Sequence, residues 1–171
     1  MGIKPLIIRL LATAAFAFAA PATSYAAGPA QDDPAPDFIG LTLEREPVLL
    51  SKYLGQTVVI SFWATWCKYC LKELPVLNGI QMAGKGSVKV IAINTEERDV
   101  FRKVAKALRT FEIQLVYDPD EKARKAYGVN GIPHLVVIGP DGKIASIFRG
   151  YGESMLPQIV DAINLANGVA Q

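Results

Sequence analysis

The two cysteines of this 171-residue chain stand three positions apart, Cys67 and Cys70, directly behind the apolar and β-branched run Val58-Val59-Ile60-Ser61-Phe62-Trp63. A run of that kind is expected for a strand buried on both faces. From residue 67 the spacing changes: Cys67, Cys70, Leu71, Leu74, Leu77 and Ile80 fall near one face of a helix over 67–83. The dithiol therefore sits at the C-terminal end of a central strand, where α/β sheets place their sites.

The rest of the chain alternates in the same way. "VKVIAIN" (88–94) reads as a second strand, and 96–109 as an amphipathic helix with Val100, Val104 and Leu108 on its apolar stripe. Residues 114–117 form a short third strand. Asp118 as N-cap and Pro119 in the first turn then open a helix that Gly128 closes. Residues 134–138 make a fourth strand. Gly139-Pro140-Asp141-Gly142 has hairpin-turn chemistry, so 143–148 should return antiparallel. A helix over 153–167 ends the domain. An extra hairpin over 37–50 and a helical turn over 51–54 precede it. The order β-α-β-α-β-α-β-β-α defines an α/β fold with a mixed central sheet.

Residues 1–26 read as a secretory signal. Lys4 and Arg9 form the basic end, Leu10 to Ala20 the apolar run, and Ser24-Tyr25-Ala26 a small-residue cleavage site. The run is about 11 residues, against the roughly 20 that a membrane-spanning helix needs. An uncleaved N-terminal anchor is the alternative. No cysteine follows the run for lipid attachment, and no Arg-Arg pair precedes it. The expected location is the periplasm. The 18 Lys and Arg and 16 Asp and Glu of the chain become 16 of each once Lys4 and Arg9 leave. A neutral mature chain gives no electrostatic case for nucleic acid or an anionic membrane. Residues 27–36, rich in Pro, Ala and Asp, read as an extended linker, and 37–171 as one domain.

A cysteine at a helix start meets unpaired N–H groups and the positive end of the helix dipole, which favour a thiolate. In Cys-x-x-Cys motifs the first thiol can fall from about 8.5 to 7 or lower. Cys70 lies one turn on, so the pair can close a disulfide or divide attack and resolution between them. Three other readings compete. A purely structural disulfide would close a tiny loop and add little stability. Half of a zinc site lacks a second cysteine pair, and the chain has one histidine. Two inert buried cysteines sit poorly at a helix N-terminus.

"FWATWCKYCLKELP" resembles the active-site segment of the thioredoxin superfamily, and more narrowly that of exported thiol–disulfide oxidoreductases of the TlpA/ResA/DsbE type. "APDFIGLTL" and "DPDEKARKAYGVNGIPHLVVIGPDGKI" extend the likeness over most of the chain. The resemblance implies a thioredoxin fold with an extra N-terminal hairpin. It implies Cys67 as nucleophile, Cys70 as resolving thiol and a reversible Cys67–Cys70 disulfide. Trp66 would shield the nucleophile, while Phe62 and Trp63 read as core. Pro75 would kink the helix. The Ile132–Pro133 bond would be cis, with the Ile132 backbone presented to the substrate strand. Pro133, lacking an N–H and being no metal ligand, would keep a cation from bridging the thiols.

Two departures matter. Thioredoxins proper carry an aspartate six residues before the first cysteine; here it is Ser61, a poor proton acceptor. The TlpA/ResA branch instead places a glutamate three residues after the second cysteine, and Glu73 stands there, within one helical turn of Cys70. It could take the Cys70 proton, or be a solvated partner of Lys72. Second, the intervening pair is Lys68-Tyr69. Lys68 adds a cation beside the thiolate, which favours the reduced form. Tyr69 reads as a substrate contact or as helix surface. His134, where thioredoxins usually have Thr, reads either as a packed strand-start residue or as a cation that steadies the Cys67 thiolate.

The function implied is dithiol–disulfide exchange, without cofactor or metal, reducing exported proteins in cytochrome c maturation or metallation. A membrane thiol donor of the DsbD/CcdA kind would recycle the enzyme, and a monomer is expected. The alternative is a Cu(I)-binding module using both cysteines and His134, although copper-chaperone relatives of the fold use a longer cysteine spacing. A redoxin-type peroxidase would need its cysteine in a different local motif.

Overall fold

A computed structural model of the chain describes residues 28–168; the signal assigned to 1–26 lies outside them. One seven-stranded mixed sheet runs in the order β2-β1-β5-β4-β3-β6-β7. Its strands are β1 (Phe38–Leu41), β2 (Pro47–Leu49), β3 (Thr57–Trp63), β4 (Val88–Asn94), β5 (Gln114–Tyr117), β6 (His134–Ile138) and β7 (Ile144–Arg149). The helices are α1 (Lys68–Ala83), α2 (Arg98–Ala107), α3 (Lys122–Ala126) and α4 (Leu156–Ala166). β3 pairs in parallel with β4 and antiparallel with β6, so every residue of it is buried. That explains its unalternated sequence, because neither face meets water.

The two faces of β3 sort its side chains into two cores. Val58, Ile60 and Phe62 join Ile91, Ile93, Val136 and Ile138, with Ile39 of β1 and Ala123 of α3. Val59 and Trp63 join Val90, Ala92, Leu135 and Val137 beneath α1 and α4. The parity is set by the strand period of two, and it decides which residues reach the site. Pro75 lies inside α1 on its exposed side, where its missing N–H leaves the Leu71 carbonyl without its helical partner.

Several boundaries differ from the sequence reading. α2 is shorter at both ends, and its buried residue is Phe101, stacked on Tyr117 with ring centroids 4.9 Å apart. Val100, expected on the stripe, is 37% exposed. α3 starts at Lys122, because residues 118–121 make a turn closed by Glu121 N–H donating to the Asp118 carbonyl. Asp118 still caps the helix from outside, its carboxylate accepting the Arg124 N–H at 2.8 Å. The final segment begins with a 3-10 turn, Glu153–Met155, before α4.

Residues 28–36, read as an extended linker, instead turn at 31–32, with Asp32 at φ 69°, and lie against the domain. Asp32 N–H donates to the Ile144 carbonyl, Ile144 N–H to the Asp33 carbonyl, and Ala35 N–H to the Gly142 carbonyl. Gly28 abuts Gly128 so closely that a Cβ on Gly28 would come 2.5 Å from the Gly128 Cα. Among the described residues no helix is long and apolar enough to cross a membrane.

Candidate active site

Cys67 is the N-cap of α1, with extended backbone angles, and its sulfur accepts the Cys70 N–H at 3.2 Å. The two cysteines are joined as a disulfide. Cys70 is fully buried, whereas Cys67 keeps 7% of its surface. Of the pair, Cys67 alone therefore presents any surface to an incoming group. Around it the chain exposes Trp66 and Tyr69, at 71% and 61%. Large aromatics left in water beside a reactive sulfur offer contact area to a polypeptide partner. Trp63 and Phe62 are wholly buried core, as expected.

Glu73 is not a surface partner of Lys72. It is 1% exposed, one helical turn beyond Cys70, and faces the sheet. Ser61 stands on the same side of β3 as Val59 and Trp63, and its hydroxyl donates to Glu73 Oε2 at 2.6 Å. Glu73 Oε1 is buried without a partner, as is Trp63 Nε1. Burial pushes the Glu73 carboxyl up to about 7, and the Ser61 hydrogen bond pulls it down. A carboxylate poised near neutral pH beside a thiol that must ionise is suited to proton transfer.

A second carboxylate holds the loop that carries Trp66 and Cys67. Glu96 accepts the Thr65 N–H at 2.6 Å and the Thr65 hydroxyl at 2.7 Å. Buried Asn94 donates to the same Glu96 carboxylate at 3.0 Å and accepts the Glu96 N–H. Sequence reading missed this clamp, since its partners lie 31 positions apart.

The Ile132–Pro133 bond is cis. The Pro133 carbonyl accepts the Gly150 N–H at 2.8 Å, tying the loop to the end of β7. Ile132 packs against both cores. His134, by contrast, shares the parity of Val136 and Ile138 and meets Phe62 edge-on, ring centroids 6.1 Å apart. Its imidazole is thus in the core on the sheet face opposite the cysteines. Burial, with Arg149 nearby, lowers it to about 4. The reading of His134 as a cation beside the Cys67 thiolate fails on both counts. The Cu(I) set of two cysteines and His134 is likewise not brought together. Among the described residues no three His, Cys, Asp or Glu side chains group as metal ligands.

Fold and site together define a class, the thioredoxin-like thiol–disulfide oxidoreductases. Comparison with known proteins agrees. The profile of the AhpC/TSA family matches residues 32–147. The thiol-disulfide oxidoreductase ResA of Geobacillus thermodenitrificans is 34% identical over 119 residues, covering 68% of this chain and 67% of ResA. ResA of Bacillus subtilis is 29% identical over 133 residues, covering 75% and 73%. A crystal structure described as a DsbE thiol:disulfide interchange protein from Chlorobium tepidum superposes with a TM-score of 0.73 at 29% identity, covering 81% of this chain and 99% of that one. The chain belongs to the AhpC/TSA family and is a thiol–disulfide oxidoreductase of the ResA/DsbE type.

Proposed function

We propose that this protein works outside the cytoplasm as a reductant of disulfides in specific exported proteins, in cytochrome c maturation or metallation. The observation that carries the reading is the division of the site: one reachable sulfur, with a buried thiol partner and a buried carboxylate behind it. The reduced Cys67 thiolate attacks a substrate disulfide. One substrate sulfur leaves as a thiolate, and a mixed disulfide forms. Glu73 takes the Cys70 proton, and the Cys70 thiolate attacks Cys67 Sγ. That releases the second substrate thiol and closes Cys67–Cys70, so two electrons have passed to the substrate. A membrane thiol donor of the DsbD/CcdA kind returns them. The protein acts as a monomer. Trp66, Tyr69 and the Ile132–Pro133 backbone hold the substrate chain against Cys67, as an added strand pairs with exposed backbone.

Cys70→Ser is expected to accumulate mixed disulfides with its substrates, and Cys67→Ser is not. Mass spectrometry of the trapped species names the substrates, and equal trapping by both variants would refute the role assignment. Equilibration with glutathione tests direction. A potential near the roughly −270 mV of thioredoxin supports a reductant, and one near the roughly −120 mV of DsbA would reverse the proposal.

A further inference from the structure

We infer that Ser61 is a positioning residue for the Cys70 step: its hydroxyl holds one oxygen of the Glu73 carboxylate, stabilises the ionised form, and leaves the other oxygen to receive the thiol proton. This rests on the general-base reading of Glu73. Both side chains are buried and come from facing elements, β3 and α1, 12 positions apart in sequence. Ser61 is fixed by pairing on both sides, opposite Ala92 and opposite Leu135. An ionised carboxylate only accepts hydrogen bonds, so the hydroxyl must donate. The 2.6 Å separation is that of a charge-assisted O–H to carboxylate bond. Oε2 is thereby occupied, and Oε1 is the buried oxygen with no partner.

A serine at this place is no proton acceptor itself, and here it has another use. Without it, burial alone would act on Glu73, and the carboxyl would be neutral at the pH where Cys70 has to lose its proton. The titratable and charged groups around Glu73 are few. Cys70 and Lys72 come from its own helix, Lys72 turned to solvent. Tyr151 lies close enough to feel the charges of both Glu73 and Glu153. Among the described residues, Ser61 donates the side-chain hydrogen bond to this carboxylate.

The experiment follows resolution of a preformed mixed disulfide by stopped flow from pH 5 to 9. The rate is expected to rise with pH along a limb set by Glu73, and Glu73→Gln should remove that limb. Ser61→Ala should move the limb upward by about one to two pH units, the scale of a hydrogen bond to a charged group, with the rate recovering at the alkaline end. Ser61→Thr, which restores the hydroxyl, should return the limb to the wild-type pH. Carbon-13 NMR of the Glu73 carboxyl in the oxidised protein reads the same shift without turnover. If Glu73→Gln leaves the limb in place, the general-base reading falls, and Ser61 with it. If Glu73→Gln removes the limb but Ser61→Ala leaves it at the wild-type pH, the base stands and the Ser61 assignment alone is overturned. A uniform slowing at all pH values would reduce Ser61 to packing.

Discussion

The two faces of the sheet each bury one ionisable side chain with an orphaned polar atom, and they handle it in opposite ways. Beneath α1, Glu73 meets a hydroxyl and is held near 7, where its proton can move. On the opposite face, His134 meets the edge of Phe62 and is lowered to about 4, so it is neutral near pH 7. Burial disfavours the charged form in both, raising an acid and lowering a base. What separates them is the partner. The Ser61 donor restrains the rise of Glu73, whereas the Arg149 charge adds to the fall of His134.

The contrast has a direct consequence for stability. Between about pH 4.5 and 7 the folded state holds the Glu73 proton more tightly than the unfolded chain does, so Glu73 makes stability fall as pH rises. Between about pH 4 and 6.5 the unfolded chain holds the His134 proton more tightly, so His134 makes stability rise with pH. The two slopes oppose each other in the wild type. Glu73→Gln should expose the rising slope and His134→Leu the falling one. Each is worth roughly 3 kcal/mol across its window, from shifts of this size. Urea unfolding of the oxidised protein at pH 4, 5.5 and 7.5 measures both. Parallel pH dependences in the two variants would break the comparison.

Catalysis should divide the faces next. Glu73→Gln is expected to slow resolution of the mixed disulfide about 10²-fold at pH 7, the low end of general-base contributions, while leaving the first attack nearly intact. His134→Leu should leave both steps, and the Cys67 thiolate absorbance titration, within about twofold of wild type, because its imidazole is neutral there. A clear rise of the Cys67 pKa in that variant would return His134 to the site.

The smallest effect sharpens the comparison within the site face. Glu96 holds the loop rather than the proton, so Glu96→Ala should slow the first attack by Cys67 by about three- to tenfold, of the order of one ordinary hydrogen bond because the loss acts only through loop position. It should leave the pH limb of resolution where it was. Single-turnover kinetics with a disulfide peptide separates the two.

Much of this division could be read before folding, and the part that could not has physical reasons. The strand before the dithiol, the helix after it and the hairpin at 139–142 follow from local period and turn chemistry, and they stand where expected. The placement of Glu73 one turn beyond Cys70 was legible for the same reason. For His134 the sequence left a packed residue and a site cation both open, because β6 is buried on both faces and no polar and apolar alternation marks which way a residue points. The start of α3 was misplaced because Asp118 caps it across a turn, six positions from the N–H that it accepts. Ser61 was weighed only as a base, since its bond to Glu73 exists only once helix and sheet have met.

The strap formed by residues 28–36 bears on how such a molecule stays dispersed at high concentration. β7 closes one edge of the sheet, and an open edge is a template for pairing with another chain. Asp32 and Asp33 occupy the outward N–H and carbonyl of Ile144, and Pro34 bridges Lys143. Proline lacks the N–H that a further strand would need, and an aspartate pair adds like charge along the same margin. Residues 32–35 thereby cover the start of that border against self-association, and a chain begun at residue 37 would carry it bare.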